Sequence, residues 1–484
     1  MRRFIVAFNA IVIFLLVNSC ATNPVTGKRD FMLMSTEQEI AMGQQSDPEI
    51  KNFFGVYEDE KLQRFINEKG QQMAAISHRK DLKYEFKIVD SPVVNAFAVP
   101  GGYVYFTRGI MAHFNNEAEF AGVLGHEIGH ITARHSAKQY SNAMLAQIGL
   151  VAGMIFSPEF AQFGDVASQG VQLLFLKFGR DAESQSDKLG VEYSTRIGYD
   201  AQEMAGFFQT LDRLSQNSGG EQVPTFLSTH PAPADREKKV TKLAADARKK
   251  LNANELKVSR DNYLRMIDGI VYGEDPKQGF VESNVFYHPV LKFRFDIPSG
   301  WAVQNTPQAV QMAPQDGKAL MMMTLAQGNS LDNAAQTFIQ NYKLNVVESN
   351  RQNINGLPAI IAVADQQAEE QAQQQQPGLR VLVAFIQHGS NIYALLGATT
   401  PNDFRAYANT FQNSIGSFAE LRDASKLNRQ AERVRVKEVT SSGTLAQAFQ
   451  KLNVKERRME ELAILNGMEL TERVERGTLI KVVE

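Results

Sequence analysis

The chain has 484 residues, with 51 lysine and arginine residues against 53 aspartate and glutamate residues, so its formal net charge is −2. This balance offers no basic face for a polyanion, and we therefore expect no nucleic-acid partner. A single cysteine excludes an internal disulfide bond. The length is well above that of one typical domain and predicts two or three domains.

The N-terminal residues have the composition of a secretory signal. A basic start is followed by an apolar stretch from Phe4 to Val17, which is too short to span a bilayer comfortably. The stretch leads to Cys20 and resembles a bacterial lipobox, in which the cysteine receives lipid and becomes the mature N-terminus. Because Ala21 follows, the resemblance implies anchoring in the lipid bilayer at the periplasmic face of the outer membrane. The alternative is an incidental cysteine in a cleaved signal.

Two segments ahead of the central motif are predicted to be strands. Residues 84–89 alternate between polar and apolar side chains, as strands do. Residues 95–105 follow, and we predict an edge strand to which an extended peptide adds through main-chain hydrogen bonds. The alternative is an ordinary hairpin strand. The candidate substrate-binding residues of this segment are Asn95, Ala96, Phe97, Gly101 and Gly102.

The central feature of the sequence is a His-Glu-x-x-His run on a helix predicted to begin near Asn116. His126 and His130 are four residues apart, so they face the same way on successive turns and suit one Zn²⁺ with an open coordination position. Glu127 is placed to take a proton from a water at that position. The alternative, an amphipathic helix with surface histidines, explains poorly why these residues lie inside an apolar helix.

A third protein ligand is required, and the sequence offers two places for it. Metzincins place a histidine six residues after the second one, but here that residue is Ser136, so this class is excluded. His135 lies close by, yet at helical pitch it points away from His126, and we predict a helix-end histidine. Glu183 and Asp187 share one face of a later predicted helix, where Glu183 would bind the metal and Asp187 would orient a ligand histidine. The alternative is a solvated acidic helix start.

These motifs together resemble a zinc metallopeptidase family that includes HtpX and the CaaX prenyl endopeptidase. More specifically, they are similar to its soluble periplasmic lipoprotein branch, represented by BepA and LoiP. Two further segments support the resemblance: residues 95–105 are similar to the family's edge strand, and residues 228–231 with the following Arg236 are similar to its late His-Pro segment. The resemblance covers roughly residues 30 to 275.

The resemblance implies roles for individual residues. One Zn²⁺ per chain would be held by His126, His130 and Glu183, and Glu127 would activate a bound water. His230 would lie at the mouth of the site, where it binds either the metal or the transition-state oxyanion; the alternative is a surface His-Pro turn. Sequence reasoning leaves Arg236 open between a structural clamp and a substrate contact. Activity would be gated, with residues 144–178 as the candidate lid.

A second domain is predicted from residue 284 to residue 420. Alternating strands and two helices indicate an α+β sheet domain, and its strand-Pro-x-Gly-Trp opening resembles PsbP-like domains. The run of glutamines at residues 366–376 is expected to be a hairpin loop. The predicted strands are residues 291–297, 319–325, 358–364, 381–387 and 392–398, and the predicted helices are residues 331–342 and 401–415.

The last part of the chain is predicted to be a small module. Residues 421–437 have an excess of basic charge and are expected to be a linker. Residues 438–484 show a β-α-α-β pattern that resembles a LysM-type module, whose family ligand is peptidoglycan. A plain interaction domain is the alternative.

The expected protein is therefore multidomain α+β. Residues 1–19 form a signal peptide and residues 20–34 a lipid-anchored lead; a mainly helical zincin-type peptidase domain with a small edge-strand sheet spans residues 35–275. The α+β domain and the LysM-like module follow. The expected function is that of a zinc metalloendopeptidase acting on misfolded or unassembled envelope proteins. The alternative is a chaperone-like or peptidoglycan-binding envelope scaffold with little proteolysis.

Overall fold

The computed structural model describes residues 20–32, 34–146, 177–217, 225–230, 235–366 and 378–484. Across these residues the chain forms two compact units. One is made of the residues up to Gly273 together with Glu432–Glu484, and the other of Glu274–Ala431. The predicted signal peptide, most of the candidate lid and most of the glutamine-rich loop lie outside the described residues. No helix in the described part of the chain is long and apolar enough to cross a membrane.

The first unit is mainly helical up to Gly273, as predicted. A hairpin of β1 (Cys20–Thr22) and β2 (Arg29–Phe31) precedes the helices. The first helix begins at a capping box, in which Ser35 Oγ accepts from Gln38 N–H and Gln38 Oε1 accepts from Ser35 N–H. The helices are α1 (Thr36–Phe54), α2 (Glu60–Ala74), α3 (Arg108–His113), α4 (Glu117–Thr132), α5 (His135–Ala146), α6 (Arg180–Arg196), α7 (Glu203–Asn217), α8 (Thr225–Thr229), α9 (Arg236–Lys250) and α10 (Arg260–Ile267).

A three-stranded sheet lies between α2 and α3. Its strands are β3 (Glu85–Val89), β4 (Ala96–Val99) and β5 (Tyr103–Thr107). The central strand β5 runs parallel to β3 and antiparallel to β4, which leaves β4 at the edge of this sheet. The strand predicted at residues 84–89 is present as β3. The segment predicted as one edge strand, residues 95–105, is instead a hairpin in which β4 lies at the edge and β5 is central.

The glycine pair between β4 and β5 allows two close backbone approaches. Gly101 and Gly102 have φ angles of +87° and +108°, in the region that favours glycine. A Cβ atom on Gly101 would lie 2.7 Å from the Glu39 carbonyl oxygen, and one on Gly102 would lie 2.6 Å from that of Lys83. The close approaches at this pair are thus made by the protein's own backbone, and the one at Gly101 fixes the hairpin against α1.

Helix α4 is buried along its length and packs on α6 through small residues. A Cβ atom on Gly125 would lie 2.9 Å from the Gly190 carbonyl oxygen, and one on Gly129 would lie 3.1 Å from Cβ of Leu189. Two backbones can approach this closely only where one of them lacks a side chain. The two glycines of the central motif therefore bring α6 directly against the face of α4 that bears the histidines.

The second unit is an α+β sheet unit, as predicted. Its seven-stranded antiparallel sheet has the order β12-β13-β14-β15-β11-β10-β9, and a four-stranded sheet has the order β16-β8-β7-β6. Two helices, α11 and α12, pack their apolar faces on the larger sheet. The elements are β6 (Phe280–Glu282), β7 (Val285–His288), β8 (Phe293–Asp296), β9 (Ala302–Asn305), β10 (Ala309–Ala313), β11 (Ala319–Leu325), α11 (Leu331–Asn341), β12 (Leu344–Ile354), β13 (Leu357–Gln366), β14 (Arg380–His388), β15 (Asn391–Thr399), α12 (Phe404–Gly416), β16 (Ala419–Glu420) and α13 (Ala424–Leu427).

The C-terminal part shows the predicted β-α-α-β order, with one correction. The predicted linker of residues 421–437 is wrong at its end, because β17 (Val434–Glu438) pairs antiparallel with β20 (Leu479–Val483). Basic residues alternate with valines in this stretch. Its charge favoured the prediction of a linker, although the spacing of two residues is that of a strand. Between these strands lie β18 (Gly443–Thr444), α14 (Leu445–Lys451), α15 (Glu456–Leu465) and β19 (Arg473–Val474).

This C-terminal part packs within the first unit. The amino group of Lys481 is fully buried and donates to the carbonyl oxygens of Ala112 and Phe114, at 2.9 and 3.0 Å. Arg213 on α7 donates to the Met468 carbonyl oxygen at 2.8 Å. Residues 432–484 therefore share their packing with the helical part of the chain.

Candidate metal centre

Helix α4 presents the two histidines of the motif to the protein interior. Its start is fixed by Asn116, whose side chain accepts from the Glu119 N–H at 2.8 Å. His126, Glu127 and His130 are completely buried. The Nε2 atoms of His126 and His130 lie 3.0 Å apart, so the predicted pairing of the imidazoles on one face is present.

Glu183 on α6 joins the two histidines. Its Oε1 lies 3.3 Å from His130 Nε2, and its Oε2 lies 3.6 Å from His126 Nε2. The side chain is fully buried. The carboxylate from α6 therefore meets both imidazoles of α4, and the alternative of a solvated acidic helix start is excluded for Glu183.

His230, which directly follows α8, completes the cluster. Its Nδ1 lies 3.0 Å from Glu183 Oε1 and 3.3 Å from His126 Nε2. Its ring stacks on Phe226 at 4.6 Å between centroids, and its N–H donates to the Phe226 carbonyl oxygen. One donor atom from each of His126, His130, Glu183 and His230 lies within 4.8 Å of the other three. His230 is therefore buried beside the predicted ligands and is not a surface turn.

Asp187 and Arg236 support this cluster from behind. Asp187 Oδ1 accepts from His126 Nδ1 at 2.9 Å, the orienting contact predicted for it. Arg236 on α9 donates to both oxygens of Asp187, at 2.7 and 2.9 Å, and its Nη2 lies 3.3 Å from Glu183 Oε2. Burial opposes ionisation of Asp187, but Arg236 outweighs it and lowers the pKa of Asp187. Arg236 therefore clamps the carboxylates of α6.

His135 contacts the other nitrogen of a predicted metal ligand, a role that sequence reasoning missed. Its Nδ1 lies 3.0 Å from His130 Nδ1, and its Nε2 lies 3.0 Å from Gln185 Oε1. The helical extrapolation fails because the chain turns at Arg134, where φ is +60°, and a new helix starts at His135. The amide oxygen only accepts, so His135 donates from Nε2 and accepts from His130 Nδ1. This arrangement leaves His130 Nε2 without a proton and free to bind a metal.

This chain of contacts predicts that His135 tunes metal affinity. His135→Phe keeps an aromatic ring but removes the acceptor for His130 Nδ1, so we expect the zinc dissociation constant to rise about 10–100-fold. Competition with a chromophoric chelator measures it. The matched control is His78→Phe, since His78 contacts Tyr193 and none of the four donor residues. Equal affinities in the two variants would contradict the role of His135.

The electrostatics of the cluster fit a bound cation. Burial opposes ionisation of Glu183, but His230 and His126 outweigh it and hold the pKa of Glu183 well below its usual value. Burial lowers the pKa of His130, which keeps its imidazole neutral. Both carboxylate oxygens of Glu127 are buried without a hydrogen-bond partner among the described residues. A neutral His130 imidazole and an ionised Glu183 carboxylate suit zinc as ligands, and the two Glu127 oxygens without hydrogen-bond partners among the described residues leave acceptors for a water beside it.

The predicted substrate strand lies next to this centre. Strand β4 packs against α4, and the Val94 carbonyl oxygen accepts from the N–H of Phe226, the residue on which His230 stacks. Asn95 is buried, and its N–H donates to Thr107 Oγ1. The assignment of Asn95, Ala96, Phe97, Gly101 and Gly102 to substrate binding stays a prediction.

The helix pair with its buried histidines and carboxylate is the arrangement of a metallopeptidase domain. Residues 60–244 match the family model described as Peptidase family M48. This match confirms the resemblance drawn from the motifs over residues 60–244.

Curated relatives support the same class. The chain is 28% identical over 334 residues to the beta-barrel assembly-enhancing protease of Escherichia coli (strain K12), covering 66% of this chain and 62% of that protein. It is 32% identical over 184 residues to the mitochondrial metalloendopeptidase OMA1 of Arabidopsis thaliana, covering 38% of this chain and 36% of that one. The chain thus spans about six tenths of the bacterial relative's length.

Solved structures add a weaker similarity. The cyanobacterial PsbP from Synechocystis sp. PCC 6803 is 9% identical, with a TM-score of 0.23, and the match covers 28% of this chain and 91% of that one. This score is too low to establish a shared fold, so the PsbP-like character of residues 284–420 stays a prediction.

Proposed function

We propose that the protein is a zinc-dependent metalloendopeptidase of the bacterial cell envelope that hydrolyses peptide bonds of misfolded or unassembled envelope proteins. The observation that carries the proposal is the convergence of His126, His130, Glu183 and His230 within 4.8 Å, next to the Glu127 carboxylate, whose oxygens have no hydrogen-bond partner among the described residues. A buried carboxylate without a hydrogen-bond partner is unusual in a protein, and a hydrolytic metal site needs such a group as its base.

The residues divide the chemical work between them. His126, His130 and Glu183 would hold the zinc ion. When bound there, zinc supplies Lewis-acid polarisation of the scissile carbonyl and a water of lowered pKa. Glu127 accepts a proton from the attacking water and then donates it to the leaving amine nitrogen.

His230 has two roles that fit its position. Its Nδ1 lies among the donor atoms, 3.0 Å from Glu183 Oε1, while its Nε2 lies 3.7 Å from Glu127 Oε1. From this position it either completes the metal's donor set or, on leaving it, donates to the oxyanion of the transition state. Its short element, α8, is the part of the site that would have to move between these roles.

The substrate class and location rest on the relatives and on the N-terminal sequence. A relative named a beta-barrel assembly-enhancing protease supports substrates among envelope proteins. The lipobox-like segment supports lipidation at Cys20 and a place on the periplasmic face of the outer membrane. The place of β4 as the last strand of its sheet supports recognition of extended polypeptide through main-chain hydrogen bonds, which tolerates many sequences.

Peptidoglycan is the further partner that we propose for the C-terminal part. The order β17-α14-α15-β20, with the two long strands paired, is the observation that supports a LysM-like module. Co-sedimentation of the protein with purified sacculi tests it. Protein that stays in the supernatant would leave residues 432–484 as a packing element of the first unit.

Metal removal tests the central proposal. Treatment with 1,10-phenanthroline is expected to abolish cleavage of β-casein, and stoichiometric zinc is expected to restore it, because the base has no activated water without the metal. Elemental analysis of the purified protein measures the bound metal in parallel. Cleavage that survives complete removal of metal would contradict the proposal.

A further inference from the structure

Strand β12 is a long open edge in the second unit. It is the outer strand of the seven-stranded sheet, and its 11 residues are exposed except for the two at its ends. The opposite edge strand, β9, has 4 residues. Proteins usually shorten or cover such edges, because their main-chain groups can pair with another strand. An open edge of this length therefore indicates a binding surface.

The outer side of β12 offers a row of main-chain donors and acceptors. In an antiparallel pair, alternate residues turn their N–H and C=O groups away from the partner strand. Among the described residues, β12 pairs only with β13, along nearly its whole length. At a rise of about 3.4 Å per residue, the strand offers an edge of about 37 Å. Only another extended chain can form hydrogen bonds with all of these N–H and C=O groups in register.

A groove runs between this edge and helix α11. It has a volume of about 520 Å³. Its apolar part comes from Ala335 and Ile339 on the helix and from Ile360 on β13. The helix side adds Gln336, and the strand side adds Ser349, which give amide and hydroxyl groups for a bound chain. The groove therefore combines an open strand with a place for side chains.

The register shows which residues of β12 face the groove. Ser349 pairs with Ala362, whose side chain belongs to the core packed under α11. Directly opposite residues point to the same face of a sheet, so Ser349 faces the helix and Gln352 faces the other side. A chain added to this edge would place every second side chain in the groove and the others outside it.

We propose that the groove between α11 and β12 binds an extended, unfolded polypeptide as an additional strand of the sheet. This inference rests on the proposed function, because the polypeptide would be the same substrate that the metal centre cleaves. A bulge between Val346 and Glu348 increases the local twist of the edge. Such a twist opposes edge-to-edge pairing of two rigid copies, whereas a flexible chain follows it.

A second binding surface on the same chain would favour long substrates. Main-chain hydrogen bonds supply affinity with little dependence on sequence, which suits a peptidase for many misfolded proteins. Once a polypeptide is bound at the edge, its remaining length is held near the chain at a high effective concentration. A short peptide has little main chain to add to the edge, so the groove distinguishes substrates by length.

Binding is tested in the full-length Glu127→Gln protein, which holds substrate without cleaving it. The probe is fluorescein-labelled β-casein, measured by fluorescence anisotropy. Adding Ser349→Trp fills the groove and is expected to raise the dissociation constant at least tenfold, and Gln336→Trp does the same from the helix side. The matched control, Gln352→Trp, places the same bulk on the other face of the strand and is expected to change it less than twofold. Equal affinity in all variants would overturn the proposal.

Hydrogen exchange identifies the mode of binding. The outward-facing amides among residues 345–353, which do not pair with β13, are expected to exchange at least tenfold more slowly when unlabelled β-casein is bound. Protection that appears without casein and grows with protein concentration would show pairing between copies of this chain and would overturn the proposal. Unchanged exchange in the presence of saturating casein would also overturn it.

A kinetic comparison separates this inference from the proposed function. With Glu127 intact, Ser349→Trp is expected to keep its kcat/KM for a fluorogenic hexapeptide but to lose at least fivefold for β-casein, through a higher KM. If the zinc-loaded wild type cleaves neither probe, the proposed function fails, while anisotropy still decides the groove. An equal loss on both probes would overturn the role of the groove.

Discussion

Glu127→Gln is expected to leave the metal bound while kcat/KM for β-casein falls by about 10²–10⁴-fold. Glutamine has the shape of glutamate but cannot take a proton from water. Glu127 stands outside the set of four donor residues, so its loss of charge removes the base and not a ligand. Elemental analysis and a casein assay on the same preparation measure both quantities.

The matched control for this variant lies on the same helix. Glu117 is in the first turn of α4 and contacts Tyr199, away from the donor residues. Glu117→Gln makes the same chemical change and is expected to retain full turnover and full metal content. Turnover retained in Glu127→Gln would refute the assigned base, and metal lost from that variant would show that the carboxylate helps to bind it.

Lys481→Met is expected to lower the free energy of unfolding by about 2–4 kcal/mol, because it leaves buried carbonyl oxygens without a donor. The amino group donates to Ala112 and Phe114 at the end of α3. Burial lowers the pKa of Lys481, which means that a charge at this position is unfavourable. The substitution also removes this unfavourable charge, so the net loss of stability is smaller than the loss of the hydrogen bonds alone. The melting temperature is expected to fall by about 5–10 °C, as measured by circular dichroism or calorimetry.

The matched control is another lysine of the same strand pair. Lys437 on β17 is partly exposed and pairs with Glu484 at the surface. Lys437→Met is expected to change stability by about 0.5 kcal/mol or less, since exposed ion pairs contribute little. An unchanged melting temperature in Lys481→Met would show that residues 432–484 are not held to the helical part of the first unit by this contact.

Much of the fold follows from local pattern. The strand predicted at residues 291–297 alternates in hydrophobicity and is present as β8 (Phe293–Asp296), and the continuous apolar runs predicted as strands at residues 319–325 and 381–387 are present as β11 (Ala319–Leu325) and β14 (Arg380–His388). Such patterns report which face of an element is buried, and that face is decided residue by residue. The strand at Val434–Glu438 was missed because its alternating residues are basic, and a short strand has too few apolar positions to outweigh them.

The site was predicted to the extent that its residues lie on regular helices. His126 and His130 share one face of α4 because four residues make one turn, and Glu183 and Asp187 share a face of α6 for the same reason. The contact between His135 and His130 was not predictable in this way. It depends on the left-handed backbone conformation of one residue, Arg134, which cannot be predicted from helical spacing.

The sequence by itself placed His126, His130 and Glu183 on the helices that bring them together, and it predicted Glu127 as the base. The tertiary structure decided which distant residues join the site or hold its parts together. His230, which follows α8, enters the donor cluster, and Arg236 binds the carboxylates of α6. Lys481 connects the last strand to α3. The physical reason is how far apart along the chain the interacting residues lie. Periodicity and capping act between residues a few positions apart, whereas these three contacts join segments far apart in the chain and form only when the packing of whole helices brings them together.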